Sequence, residues 1–222
     1  MSIEQCGLEG IAAVIAAVGT LLLGALAIWG DWIRSVLAPP KLKLVGHTLK
    51  GERTELRVQG AAHPTGGIPV MYYHLKVVNL RPRITVQNCQ VLLKGISRRG
   101  PDNIFRPEPM AVPFQFIWAP AKPTPELATV TNERILDFGR LQRDGKFFSP
   151  LLYEVPHNFR GFVGKGEAVR YFLEISATNY VSPSLCVYEV SWDGQWADDP
   201  EEMSQNLRVT EVQEGWPGVG AY

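Results

Sequence analysis

Two hydrophobic patterns divide the chain. Residues 11–29 form an unbroken apolar run of 19 residues without a charged side chain. A helix of that length extends about 28 Å, close to the hydrocarbon thickness of a bilayer. A buried helix of a soluble protein usually carries a polar stripe, and this run has none. The pattern predicts a transmembrane helix over residues 11–33, after a short N-terminal segment of residues 1–10.

A cleaved signal peptide is the alternative interpretation of the same run. Signal peptides have a basic leader, an apolar centre of about 7–15 residues and a cleavage site of small residues. The leader here carries Glu4 and Glu9 and no lysine or arginine, and Asp31 and Trp32 follow the apolar run. A retained anchor is therefore the prediction.

Basic residues close to the predicted anchor lie on its C-terminal side. Short loops rich in lysine and arginine stay in the cytoplasm, so we expect the N-terminus outside and the C-terminal domain in the cytoplasm. Indole rings suit the membrane interface because they bury their rings and keep the N–H hydrated. The residues predicted at this interface are Trp29, Trp32, Arg34, Lys41 and Lys43.

Small residues recur at steps of three and four along the predicted helix. This spacing places them on one side as a continuous seam, and helices in lipid associate through such seams. Glycine and alanine are also common in transmembrane helices, so composition alone is the alternative explanation. The predicted helix-association face, which would form a homodimer, consists of Gly10, Ala13, Ala17, Thr20, Gly24 and Ala27.

Beyond residue 40 the pattern changes to alternation with a period of two, which indicates half-buried strands. Residues 71–78 place Tyr73, Leu75 and Val77 on one face and His74 and Lys76 on the other. Glycine, proline and asparagine turns separate these segments, and helical periodicity is nearly absent, which predicts a mainly β, antiparallel sandwich. The predicted strands lie near residues 41–49, 53–59, 71–78, 84–93, 112–118, 135–141, 169–177, 185–192 and 207–212.

The domain organisation follows from these two patterns. Pro39 and Pro40 end the helix and belong to a stiff linker over residues 34–40. Residues 41–212 are numerous enough for one domain with a sizeable core, and residues 213–222 form a flexible aromatic tail. One helical turn is predicted inside the domain, with Asp199 as the N-cap and Pro200 as the first helical residue. The acidic patch at 198–202 thus has a structural explanation, which we favour over calcium binding.

An extended strand ending in Val78 and Asn79, a basic turn, and then residues 88–93 (NCQVLL) look like one hairpin of an immunoglobulin-like domain. Residues 177–179 (ATN) and 189–196 (EVSWDGQW) have the same character. Together with the N-terminal anchor, the chain resembles uncharacterised bacterial single-pass membrane proteins that carry one immunoglobulin-like β-sandwich. The resemblance implies that fold and a bacterial inner membrane, and it brings no catalytic residue with it.

Residues that carry chemistry are scattered. The four histidines, at positions 47, 63, 74 and 157, have no second metal ligand at helical or hairpin spacing, and a solvated side chain is expected for His74. Residues 161–167 (GFVGKGE) have the glycines of a phosphate loop, but Gly166 follows the lysine where serine or threonine should stand. We interpret them as a glycine-rich turn. The sequence therefore predicts no catalytic residue, no metal site and no cofactor.

Charge and cysteine content add two constraints. The chain has 22 basic and 22 acidic residues, so no overall field attracts nucleic acid, and none is expected as a partner. Cys89 and Cys186 fall on predicted inward faces of strands, where a buried thiol is expected in the cytoplasm. If the domain lay outside the cell, the two could instead form an inter-sheet disulfide.

Two segments are candidate contacts for a protein partner. Pro120 and Pro123 fit a polyproline ligand pattern within a proline-rich stretch, for which a crossing between sheets, with residues 112–118 as an edge strand, is the favoured alternative. Trp216 and Tyr222 stand among glycines in the tail, where they either pack on the domain or dock on a partner.

These observations favour a non-enzymatic, membrane-anchored scaffold or sensing module that binds a protein partner through a cytoplasmic β-sandwich. A periplasmic or extracellular binding or adhesion module is the alternative. The expected partners are the lipid bilayer, a protein and a second copy of the chain.

Overall fold

The computed structural model of the chain describes residues 13–25, 27–30, 39–56, 67–178 and 180–213. Its described residues fall into two compact units, one up to Pro39 and one from Pro40 onward. The first unit contains helix α1, Ala13–Gly30, which is strongly apolar and has none of its described residues buried. A helix of 18 residues extends about 27 Å and is long and apolar enough to cross a membrane.

The second unit, called the β domain below, consists of two antiparallel sheets, as the alternating pattern predicts. One sheet has the strand order β1-β2-β8-β9-β10 with β6 beside β8, and the other β14-β13-β11-β3-β4 with β5, β7 and β12 at its margins. The strands are β1 (Leu42–Leu56), β2 (Ile68–Asn79), β3 (Val86–Arg99), β4 (Phe105–Glu108), β5 (Phe114–Gln115), β6 (Ile117–Trp118), β7 (Ala128–Val130), β8 (Glu133–Gln142), β9 (Phe147–Pro150), β10 (Val163–Gly164), β11 (Glu167–Ala177), β12 (Tyr180–Val181), β13 (Cys186–Trp192) and β14 (Leu207–Val212).

One hydrophobic core joins the two sheets. Tyr73, Leu75 and Val77 of β2 are fully buried, and the predicted inward faces of β3 and β11 enter the same core. Phe138 of β8 contacts Tyr171 of the other sheet edge to face, with ring centroids 5.5 Å apart. Aromatic pairs of this kind stabilise a core beyond the area they bury, by about 0.5–1.5 kcal/mol each.

Two predicted strands differ in the structure. The segments near 41–49 and 53–59 are one strand, because β1 continues through two register shifts opposite β2. Residues 112–118 are not one edge strand: β5 pairs with β3, whereas β6 pairs with β8 of the other sheet. Phe116, between them, is 1% exposed. The proline-rich segment therefore crosses between the sheets, which confirms the favoured interpretation of the stretch while correcting the single edge strand.

A short helix, α2 (Pro200–Asn206), forms as the sequence predicts. The Asp199 carboxylate accepts a hydrogen bond from the Glu202 amide, and Pro200 occupies the first turn, where a missing N–H costs nothing. Met203 is its buried residue and is fully inaccessible. We call the end of the β domain that carries α2 the helix pole.

The opposite end of the β domain is called the basic pole. There β1 begins opposite the end of β2, and β8 begins beside them. In the other sheet, β13 begins opposite the end of β14. The Tyr180 hydroxyl donates a 3.0 Å hydrogen bond to the Leu42 carbonyl and thereby joins the two sheets. The basic pole comprises residues 40–43, 79–86, 130–133, 177–178, 180–186 and 212–213.

Candidate functional site

The crossing segment, residues 106–126, exposes the two prolines predicted as partner contacts. Pro120 and Pro123 are exposed, whereas Phe116 and Trp118 just before them are each 1% exposed. Lys122, between the prolines, pairs with Glu126 at 2.9 Å, and this hydrogen bond lowers the pKa of the Glu126 carboxyl. Buried aromatic residues thus fix one end of a surface segment whose prolines face solvent.

Gln115 holds the rest of the crossing segment in place. Its side-chain amide donates a 2.7 Å hydrogen bond to the Glu126 carbonyl, and its own carbonyl accepts one from the Tyr153 amide. Leu127 and Val155, close to these bonded residues in sequence, are 53% and 45% exposed. Exposed apolar side chains therefore occur in the regions that Gln115 bonds, in addition to the exposed prolines.

A row of polar side chains crosses the outer face of the first sheet. His74 on β2 lies opposite Asp137 on β8, with 3.0 Å between Nδ1 and Oδ1. The other ring nitrogen of His74 is 3.6 Å from a Glu52 oxygen on β1. The Tyr72 ring stacks parallel to the imidazole at a centroid distance of 6.1 Å, and the Arg140 guanidinium donates to the Tyr72 hydroxyl.

This row corrects the expectation of a solvated His74, whose side chain is only 14% exposed. The neighbouring Tyr72 ring and the buried Asp137 carboxylate remove it from water. The imidazole lies between the carboxylates of Glu52 on β1 and Asp137 on β8, so the three side chains span three strands. The row therefore acts as a cross-strand connection on the sheet surface.

The basic pole contains a loop that a buried amide holds rigidly. Asn79 is 4% exposed, and its side-chain N–H groups donate to the carbonyls of Ile84 and Thr131 at 2.7 and 3.0 Å. Its side-chain oxygen accepts from the Arg81 amide, and the Leu80 amide donates to the Lys41 carbonyl. Leu80 is nevertheless 48% exposed.

Basic side chains surround Leu80 at this pole. Lys41, Lys43, Arg81 and Arg83 are all exposed. Val181, at the start of the neighbouring loop, is 58% exposed. Lys41 and Lys43 belong to the predicted membrane interface, and Arg81, Arg83, Leu80 and Val181 lie at the same pole.

The acidic residues at the helix pole form ion pairs and hydrogen bonds within the β domain. Glu201 pairs with Lys50 of β1 at 2.7 Å, and Asp198 pairs with Arg53 at 3.2 Å. A hydrogen bond from the Trp196 indole, followed by that from Arg53, lowers the pKa of the Asp198 carboxyl. Asp199 caps α2, so the patch has the structural role that the sequence predicts.

Residues 161–167 form a turn between strands, which confirms the glycine-rich turn. Lys165 and Gly166 connect β10 to β11, and Gly166 has φ of +77°, a conformation that favours glycine. The Gly164 amide donates to the Glu167 carboxylate at 2.8 Å. The segment therefore leads into a strand and lacks the helix N-terminus of a phosphate loop.

Cys89 and Cys186 are both free and belong to the same sheet. Their strands, β3 and β13, flank β11, so the two Cα atoms are separated by at least two strand spacings, about 10 Å, which exceeds the roughly 7 Å that a disulfide spans. The conditional inter-sheet disulfide is therefore wrong. Burial raises the pKa of the Cys89 thiol to about 12 and also raises that of Cys186.

The anchor residues are distributed as follows. Ala13, Ala17, Thr20, Gly24 and Ala27 are exposed on α1, and the Thr20 hydroxyl donates to the Ala16 carbonyl within the helix. Trp29 is 57% exposed near the end of α1. Gly10, Trp32, Arg34, Trp216 and Tyr222 lie outside the described residues, as does the tail beyond residue 213.

Within the described ranges, no three histidine, cysteine, aspartate or glutamate side chains converge as metal ligands. The residues that sequence reasoning missed are Arg81, Arg83 and Val181 at the basic pole, and Asp137 beside His74. A short loop contributes Arg81 and Arg83, the two-residue strand β12 contributes Val181, and only the strand register brings Asp137 to His74.

No protein-family model matches the sequence, and no curated protein matches it. Function therefore has to be argued from the residues of this chain.

Proposed function

We propose that the chain is a single-pass bacterial inner-membrane protein whose β domain is a non-enzymatic scaffold or sensing module for a protein partner. The observation that carries this proposal is the crossing segment. It presents Pro120 and Pro123 to solvent while Trp118 is anchored in the core. Anchoring reduces the conformational entropy that a partner must otherwise remove on binding. The proposal assigns no catalytic residue.

The strand order supports an immunoglobulin-like classification of the β domain. Immunoglobulin domains pair strands A, B and E in one sheet and C, F and G in the other. The orders β1-β2-β8 and β13-β11-β3 correspond to these two sets. Tyr171 on β11 also donates from its hydroxyl to the upstream Gly161 carbonyl, as the tyrosine of strand F does in that fold. Leu173 occupies the place of the second cysteine, two residues later.

The exposed apolar surface of α1 supports the membrane anchor. Arg34, Lys41 and Lys43 on its C-terminal side favour a cytoplasmic β domain. A cysteine introduced at the exposed Ser184, in a chain with Cys6→Ser, tests the orientation in spheroplasts with a membrane-impermeant thiol reagent. Labelling only after permeabilisation supports the cytoplasmic domain. Labelling of intact spheroplasts would place the domain outside the cytoplasm and make the envelope-binding module the better proposal.

Partner binding is tested by replacing Lys122 with a photo-crosslinking amino acid in the native host. Because Lys122 is exposed between the two prolines, a discrete crosslinked protein is expected. The matched control is Thr210, an exposed position on β14, which should give no such product. Equal products at both positions, or none at 122, would contradict binding through the crossing segment.

Self-association through α1 belongs to the same proposal. Replacing Ala17 and Gly24 by leucine places two large side chains on the small-residue seam, which prevents close approach of two backbones. Dimers in a membrane two-hybrid assay should then disappear. Leucine at Val14 and Val18, which lie outside the seam, is the control, and an unchanged signal in the seam variant would exclude this face.

A further inference from the structure

The basic pole exposes apolar side chains to solvent, and one of them belongs to a loop whose conformation is fixed by buried hydrogen bonds. Leu80 is 48% exposed although its loop is rigidly held by the buried Asn79. The loop conformation is therefore specified by the fold, and it keeps an apolar side chain outward. Val181 on β12 is exposed in the same way at the same end of the domain. Two outward apolar side chains at one pole form a small surface that water solvates poorly.

Four exposed basic residues accompany these apolar side chains: Lys41, Lys43, Arg81 and Arg83. Among the residues that the structure describes at this pole and at the adjoining strand ends, the acidic ones are Glu133, which pairs with Lys76 at 2.9 Å, and Glu211. The described part of the pole therefore contains more basic than acidic residues, although the whole chain has equal numbers of both.

The chain enters the β domain at this pole. Residues 31–38 connect α1 to Pro39, and a connection of that length spans at most about 30 Å when fully extended. A bilayer crossed by α1 is thus within reach of the basic pole. Apolar side chains flanked by lysine and arginine are the combination that binds the interface of an anionic membrane.

We propose that the basic pole docks on an anionic lipid surface. Lys41, Lys43, Arg81 and Arg83 contact lipid phosphates, and Leu80 and Val181 enter the boundary between headgroups and acyl chains. This inference rests on the anchoring part of the proposed function, and it holds for either orientation of the chain because both leaflets can carry anionic lipid. It assigns a second membrane contact to the β domain, independent of the helix.

The test uses the full chain in nanodiscs of phosphatidylcholine alone or with about 30% phosphatidylglycerol. Hydrogen exchange of backbone amides is measured by mass spectrometry at about 0.1 M salt. In the anionic nanodiscs, exchange of residues 80–85 and 180–184 should slow about five-fold or more, the factor that about 1 kcal/mol of surface attraction produces. Raising the salt to about 1 M, where the screening length falls to about 3 Å, should remove the difference.

Two variants with the same charge change complete the experiment. Arg81→Ser with Arg83→Ser should abolish the slowing, whereas Lys146→Ser with Arg208→Ser, which removes two exposed basic residues from the helix pole, should preserve it. Unchanged exchange of the Arg81/Arg83 variant in phosphatidylcholine nanodiscs verifies that its fold is intact. Leu80→Ser should weaken the slowing without changing the charge.

The outcomes separate this inference from the anchor. A chain that does not enter nanodiscs would overturn the anchor and the docking together. A chain that enters them, but shows equal exchange in both lipid compositions, would overturn docking alone. Equal loss in the two charge variants would also overturn it, because the effect would then depend on total charge and not on the basic pole.

Discussion

The two poles of the β domain use their charged residues differently. At the helix pole, Glu201 and Asp198 pair with Lys50 and Arg53 of β1, and the pairs hold α2 against that strand. At the basic pole, Arg83 and its basic neighbours face solvent beside an exposed leucine. The charged residues of the helix pole thus bind one another, whereas the basic residues of the basic pole are exposed.

Substitution of Met203 should have the largest effect on the free energy of unfolding and tests the packing of the helix pole. The Met203 side chain is fully buried beneath α2. Met203→Ala should lower the free energy of unfolding by about 2–5 kcal/mol, because the substitution removes buried methylene groups and leaves a cavity. Urea denaturation of the full chain in detergent, followed by tryptophan fluorescence, measures this change. Gln205→Ala, at an exposed site of the same helix, is the control, and equal effects would show that α2 is not packed as described.

The pH dependence of the free energy of unfolding tests whether Cys89 is buried in the core near the basic pole. Burial raises its pKa from 9.0 to about 12, so its contribution to stability is complete below pH 9.0 and is lost as the pH rises toward 12. The free energy of unfolding should fall by up to about 1.4 kcal/mol per pH unit between these two pKa values. Cys89→Ala should reduce this slope between about pH 9 and 11, and Cys6→Ser should not. An unchanged slope would contradict a buried thiol.

The cap of α2 should have a smaller effect. Asp199→Ala removes the acceptor for the Glu202 amide and should lower the free energy of unfolding by about 1 kcal/mol. Asp199→Asn retains an acceptor oxygen and should restore most of that loss. The same urea experiment measures both variants. Equal destabilisation by alanine and asparagine would indicate that charge, and not capping, is responsible.

Alanine substitution of one arginine at each pole should have the smallest effects on the free energy of unfolding. The two variants compare the poles directly. Arg53→Ala should lower the free energy of unfolding by about 0.2–1 kcal/mol, the range of exposed ion pairs. Arg83→Ala at the basic pole should stay within about 0.5 kcal/mol of the parent chain. Urea midpoints of the two variants, measured together, provide the comparison. A larger loss for Arg83→Ala would mean that the basic pole is structural after all.

The strands that sequence alone predicted are those with one buried face. In residues 71–78 and 169–177, alternation identifies both the strand and its inward side, since a shift of one residue would turn the charged side chains into the core. Residues 112–118 also alternate, with apolar side chains at positions 112, 114, 116 and 118, but this alternation does not show that the segment is shared between two sheets. Their division between two sheets depends on contacts with β3 and β8, distant in sequence.

Candidate sites, like strands, could be predicted from the sequence only where their residues form a local pattern. Pro120 and Pro123 form a local sequence pattern, and the structure shows both exposed, while their contact with a partner stays a prediction. The environment of His74 could not, because its neighbour Asp137 arrives from β8 through strand register. Lys41 was predicted beside the anchor from its sequence position, but Arg83 and Val181 join it only when separate loops meet at one pole. Surfaces assembled from several loops have no signal in any single stretch of sequence.

The two ends of the β domain leave from the same pole. β1 begins there and β14 ends there, with Lys43 and Glu211 both close enough to influence the Cys186 thiol. Chains whose ends lie close together tolerate circular permutation and insertion into other proteins. The domain is therefore a portable module: a short linker can join its ends, and new ends can open at the exposed turn of residues 101–103 without removing a strand.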